Sequence, residues 1–162
     1  MTTRDPLATR RLVGKLLISG VAVLWPVGAL TADWNETHVF NPNWSPHAKF
    51  HNGQTIVLGV ELAALSLWQL WGPARASRSS LRWGTLLAGL YFATQAPAVL
   101  LPGAELVDPE FADRLPVLGG IRINQITLSL LGSMPALALG YKLAAGAVTN
   151  QRTDHRDGLR AP

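Results

Sequence analysis

The sequence predicts an all-α fold, a four-helix transmembrane bundle with both termini in the cytoplasm, and three observations predict it. Of the 162 residues, 48% are hydrophobic and only 15% charged, where soluble domains carry about 25% charged residues. The apolar residues gather into four blocks, each near the ~20 residues that carry a helix across a ~30 Å hydrocarbon core. Most of the Lys and Arg residues fall on one side of the alternation that those blocks define. Helix is the required element, because a segment in lipid must satisfy its own backbone polar groups. The blocks are too long and too unalternating for barrel strands.

The first block spans residues 12–32, and its only charge, Lys15, lies one turn in, where it can snorkel to the interface. A secretory signal is the competing reading, with its basic start and small residues up to Ala32. Cleavage there would leave three spans and put the Arg-rich link or the C-terminus on the wrong side, which argues for a retained span. The second block covers 53–71, the third 83–101 and the fourth 123–148, with Lys142 near its end. Residues 1–150 thus read as a single four-span domain, and the polar stretch 151–162 as a disordered cytoplasmic tail. Pro26, Pro97 and Pro135 lie inside spans one, three and four, where each removes a backbone donor and favours a kink.

Charge sets the orientation. Arg4, Arg10, Arg11 and Lys15 precede or open the first span. Arg75, Arg78 and Arg82 occupy the link between spans two and three, and Lys142, Arg152, Arg156 and Arg160 the C-terminal end. That is 11 of the 14 basic residues on one face. The opposite face holds Lys49, Arg114 and Arg122 against Asp33, Glu36, Glu105, Asp108, Glu110 and Asp113. The positive-inside rule then places both termini in the cytoplasm of a multi-pass protein, with the bacterial inner membrane as the expected location.

Several function classes are excluded at this stage. There is no cysteine, so disulfides, thiolate nucleophiles and Cys-ligated zinc or iron–sulfur centres are absent. The net charge of +4 does not point to nucleic acid, since the basic residues flank apolar spans. No phosphate-binding glycine loop, nucleophile elbow or dinucleotide fingerprint is present. Span four carries Gly132, Ala136, Gly140 and Ala144 at four-residue intervals, a stripe that lets another helix approach closely. It serves either packing within the bundle or a homo-oligomer or membrane-complex contact.

The densest chemistry lies in HVFNPNWSPHAKFH, residues 38–51, which holds three of the four histidines. Ser45 is suited to cap a helix and Pro46 to open it. His47 and His51, four residues apart, then share one face, and Gln54 and Glu61 continue the same polar stripe. Glu61 falls near the bilayer midplane, where an ionisable group is a functional hypothesis by default. Gln95, Asn124 and Gln125 on spans three and four, with Asp33 and His38 on the first link, reach the same outer half. Three readings stay open. His38, His47, His51 and Asp33 form a mixed imidazole–carboxylate set suited to a divalent transition metal. Alternatively, His47, His51 and Glu61 perform acid–base catalysis on a lipid-soluble substrate held by Gln54, Gln95, Asn124 and Gln125. In the third, Trp34, Trp44 and Phe50 make an interfacial aromatic belt, and the histidines merely tolerate the headgroup zone.

The stretch His38–Gln54 resembles a signature, Asn-Pro-x-Trp-x-Pro-His-x-x-Phe-His, of small, largely uncharacterised bacterial four-helix membrane proteins. The overall plan is similar to DoxX-like and EXPERA-type membrane domains, and the EXPERA likeness implies acid–base chemistry in a lipid-facing cavity. The expected function is therefore an integral membrane protein that binds, and in one reading transforms, a small lipid-soluble molecule at an extracytoplasmic histidine site. The rival is a non-enzymatic subunit of a larger membrane complex.

Overall fold

A computed structural model describes the chain over residues 5–158, with side chains to Gly146. It is predominantly helical, and the termini of its helices follow from local chemistry. Helix α1 (Pro6–Asp33) opens on a proline and is capped by Asp5, whose carboxylate accepts from the Leu7 N–H at 2.9 Å. Helix α2 (Pro46–Trp71) starts where the sequence predicts, with the Ser45 hydroxyl accepting from the Ala48 N–H at 3.1 Å. Ser77 caps α3 (Arg78–Ala98) in the same way through the Ser80 N–H.

The last rod is composite. A short helix α4 (Gln125–Leu128) passes into a π turn over Ser129–Ser133 and then into α5 (Met134–Gly158). Pro135 gives a physical reason for the widened turn. It has no N–H to offer, and its ring would strike the carbonyl of Leu131 in a regular helix. The π geometry lies immediately before it, with the Met134 N–H reaching back to the Ser129 carbonyl. Helix α5 runs to Gly158, into the stretch for which disorder was expected; residues 159–162 of that stretch lie outside the described residues.

Among the described residues, three helices are long and apolar enough to cross a membrane: Pro6–Asp33, Pro46–Trp71 and the continuous run Gln125–Gly146. Helix α3 is less apolar because Arg78, Ser79, Ser80 and Arg82 fill its first turns. At 21 residues it is still ~31 Å long. The four rods pack side by side: α1 lies against α2, α3 and α5, α2 against α3, and α3 against α5. The core between them includes Ile18, Val21, Leu70, Leu81, Phe92 and Leu137.

Helices α1 and α5 approach closely at their glycines. A Cβ on Gly14 would collide with the Gly140 carbonyl and come within 2.7 Å of the Ala144 nitrogen. A Cβ on Gly140 would lie 2.8 Å from the Gly14 carbonyl. The lower half of the span-four small-residue stripe is therefore used inside the bundle. On the other side of α1, the Trp25 ring lies over Gly59 of α2 and stacks on Tyr91 of α3, with centroids 3.4 Å apart. At one end of the bundle the Arg11 and Lys15 side chains both donate to the Arg75 carbonyl, at 2.8 and 3.3 Å, and Lys15 sits over the Trp71 ring.

The opposite end carries the two longer links. The second contains a 3₁₀ turn, Pro109–Arg114, and a two-stranded hairpin that sequence reading did not anticipate. Strands β1 (Val117–Leu118) and β2 (Ile121–Arg122) are joined by Gly119 and Gly120 at φ +58° and +80°. Both residues must take positive φ in such a turn, which glycine does without strain.

Candidate functional site

The His-rich segment divides into two parts with different roles. Its first part, the link from α1 to α2, is a clasp. Asn35 folds back so that its side-chain amide donates to the Ala32 carbonyl at 2.8 Å, while its Oδ1 accepts from the Thr37 N–H. Asn41 is 1% exposed. Its Oδ1 accepts from the Asn43 N–H at 2.8 Å, an Asx turn ahead of Trp44, and its amide donates to Glu110 at 3.2 Å. The Trp44 indole donates to Asp108 at 3.2 Å. Arg114 pairs with Glu36 at 2.7 Å. Three residues of the first link thus bind three charged residues of the second, around the 3₁₀ turn.

His38 belongs to this clasp. Its Nδ1 lies 2.6 Å from the Thr37 hydroxyl and 3.8 Å from Asp33, and its ring meets Trp44 edge-on at 4.8 Å. Asp33 in turn accepts from Asn52 at 2.9 Å, which ties the end of α1 to the first turns of α2. Glu36 is exposed; its own backbone N–H and the Arg114 guanidinium hold its carboxyl below the ordinary value of 4.5.

The second part is the opening of α2. His47, His51, Gln54 and Glu61 share one face, as the 100° period requires, and all four are exposed. Helix α2 buries Ile56, Gly59, Ala63, Ser66 and Leu70 against α1 and α3. Its polar stripe therefore faces away from the bundle, alongside Leu58, Leu65 and Trp68. The Nε2 atoms of His47 and His51 stand 3.1 Å apart. Phe50 lies parallel to the His47 ring and edge-on to His51. Glu61 takes part in neither ion pair among the described residues.

The polar residues expected to converge on His47 and His51 are engaged elsewhere. Gln95, buried on α3, accepts from the Ser129 hydroxyl and ties α3 to the π turn. Asn124 caps its own helix through the Ile126 and Thr127 N–H groups, at 2.9 and 3.0 Å. Gln125 donates to the Leu106 carbonyl at 3.0 Å. Of the expected metal set, Asp33 and His38 are neighbours and His47 and His51 are neighbours. No cluster of three or more His, Asp or Glu suited to a metal forms among the described residues. Two open concavities lie at this end, one beside Leu30, Thr31 and Trp34, the other between Val99, Leu106, Pro109 and Arg122. The α2 stripe lines neither of them.

Sequence reasoning missed the clasp contacts of Asn41, Asn52, Asp108 and Glu110. The buried amide and its acceptor are 69 positions apart, a separation that no local pattern reports. A family model matches residues 17–153, and the chain belongs to that family, DUF6640, a family of unknown function. No curated protein and no solved structure matches the chain.

Proposed function

We propose that this member of DUF6640 is a four-span inner-membrane protein with cytoplasmic termini, acting as a non-enzymatic subunit of a membrane assembly. The outward face of α2 would dock a transmembrane helix of a partner protein. The observation that carries this reading is Glu61, exposed near the middle of a 26-residue apolar helix. An ionisable side chain facing hydrocarbon at that depth costs ~3 kcal/mol or more unless something covers it. Among the described residues Glu61 stays exposed on the outer face of α2.

Charge complementarity selects the occupant. No basic residue of this chain lies near the midpoint of its apolar spans, so a second copy brings no cation to mid-depth. A partner helix with Lys, Arg or a side-chain amide there would satisfy the carboxyl. Leu58, Leu65 and Trp68 would supply the surrounding apolar contact. The rival reading is a lipid-soluble ligand handled by His47, His51 and Glu61, with Gln54, Gln95, Asn124 and Gln125 as its binding residues. It is the weaker one, because Gln95, Asn124 and Gln125 already have internal roles. Likeness to DoxX-like and EXPERA-type domains adds topology alone.

The test is site-specific photo-crosslinking in native membranes. A photoreactive residue at Leu65 is expected to capture one partner, through a peptide from a membrane helix bearing a basic or amide residue. Glu61→Leu should abolish the product, and the same probe at the buried Ala63 should not form it. Crosslinks to lipid alone, or to a second copy of this chain, would overturn the reading. A small molecule that copurifies with the protein and is lost in Glu61→Leu would replace it with the ligand reading.

A further inference from the structure

We infer that His47 and His51 form a two-imidazole chelate for a borderline divalent cation of the Cu²⁺, Ni²⁺ and Zn²⁺ group, open on its outer side. It stands apart from docking at Glu61, which lies ~15 Å deeper along α2.

The geometry points to a shared ligand. Two imidazoles four residues apart project from one helix face, and here their Nε2 atoms are 3.1 Å from each other. With metal–nitrogen bonds of ~2.05 Å, that separation subtends roughly 100° at a bound ion. The angle falls between the right angle of a square-planar site and the tetrahedral angle, the two geometries that this group of cations favours. The rings cross at 77° with centroids 4.5 Å apart, and without an ion one neutral imidazole can donate to the other across the same 3.1 Å gap. Phe50 packs on both rings, its plane 6° from that of His47. That contact restricts both imidazoles before any ion arrives and lowers the ordering cost of binding.

Ligand type narrows the class. Imidazole nitrogens suit copper, nickel and zinc, whereas calcium and magnesium require oxygen donors. Asp33 and His38, the other residues expected in a metal set, are held in the clasp by Asn52, Thr37 and Trp44. The chelate therefore offers two protein ligands and leaves its remaining positions to water or to a donor from outside the chain.

The experiment uses full-length protein in detergent, stripped of metal by chelator and titrated with Cu²⁺ alone. Binding is read by calorimetry and by electron paramagnetic resonance. The expected result is one Cu²⁺ per chain with two coupled nitrogens. His47→Asn and His51→Asn should each weaken binding by roughly tenfold or more and leave one coupled nitrogen. His38→Asn should leave affinity and spectrum unchanged. Both varied histidines are exposed, so thermal unfolding of each variant should match the parent and separate lost binding from lost fold. A two-nitrogen spectrum that persists in the double variant, or disappears in His38→Asn, would overturn the assignment, as would absence of binding to the folded parent.

Discussion

Asn41 shows how much one side chain contributes to the outer end of this bundle. It is buried, its oxygen holds the turn before Trp44, and its amide reaches Glu110 on the other link. Asn41→Ala should lower stability by about 1–3 kcal/mol, the cost of stranding buried partners, read from thermal unfolding in detergent. Asn41→Asp should be at least as damaging: it keeps the acceptor for Asn43 but replaces the donor with a carboxylate facing Glu110. Equal stability of Asn41→Asp and the parent would show that the amide contact is not formed. The Glu36–Arg114 pair makes the contrasting case, since both side chains are more than half exposed and such pairs contribute little. Arg114→Gln should shift unfolding far less than Asn41→Ala. The carboxyl of Glu36 is held below 4.5 in the fold. Whatever stability it contributes is fully present above that value and is lost as the pH falls through its lowered, folded value. The parent should therefore lose more stability than Glu36→Gln on acidification below about pH 4.5, and the difference between them should be largest, and flat with pH, near neutrality. At this scale the local signals were legible: Ser45 and Pro46 announce the start of α2 within four residues. The charged and amide partners of the clasp were not, because hydrogen bonds between two links leave no periodic trace in either.

Among the elements, the contact of α1 with α5 is the most demanding. Gly14→Val should destabilise by about 1–3 kcal/mol or more, because the added carbons meet the backbone of Gly140 and Ala144. Gly132 belongs to the same four-residue series, yet a Cβ there meets nothing within 4 Å. Gly132→Ala should accordingly be neutral to within about 0.5 kcal/mol. Comparable losses at both positions, in denaturant titrations of the detergent-solubilised protein, would place a second tight contact along the upper half of the stripe. The comparison also marks a limit of sequence reading. The spacing of Gly132, Ala136, Gly140 and Ala144 identifies a surface that admits close approach, but which half is used depends on where α1 carries its own glycine. The polar stripe of α2 presents the same problem. Its existence follows from the 3.6-residue period, whereas its outward direction depends on Ile56, Gly59, Ala63, Ser66 and Leu70 meeting α1 and α3. An inward-facing stripe would have gathered Gln95 and Gln125 around the histidines; an outward-facing one leaves Glu61 exposed.

For the whole molecule, the fold ties its two ends by different chemistry, and the membrane gives that difference a direction. At one end Arg11 and Lys15 converge on the Arg75 carbonyl, with Arg78 and Arg82 on the next turns of α3. At the other, Asn41, Trp44 and Arg114 hold the carboxylates Glu110, Asp108 and Glu36. Basic residues near membrane helices are retained on the cytoplasmic side, whereas acids carry little topological weight. The Arg75 end is therefore expected inside and the clasp outside. The absence of cysteine allows a direct check, because every introduced thiol is the only one in the chain. Glu105→Cys, on the exposed second link, should react with a membrane-impermeant maleimide on intact cells. Ala76→Cys, between α2 and α3, should react only after the membrane is opened. The reverse pattern would invert the protein and place His47 and His51 in the cytoplasm. Replacing Arg75, Arg78 and Arg82 together by Gln supplies the causal arm. If those charges set the orientation, a fraction of molecules should insert the other way, seen as Glu105→Cys that is protected on intact cells. If labelling does not change, the basic residues at the two ends of the chain set the topology without the link, and the Arg-rich link serves the packing of α1 onto α2 and α3.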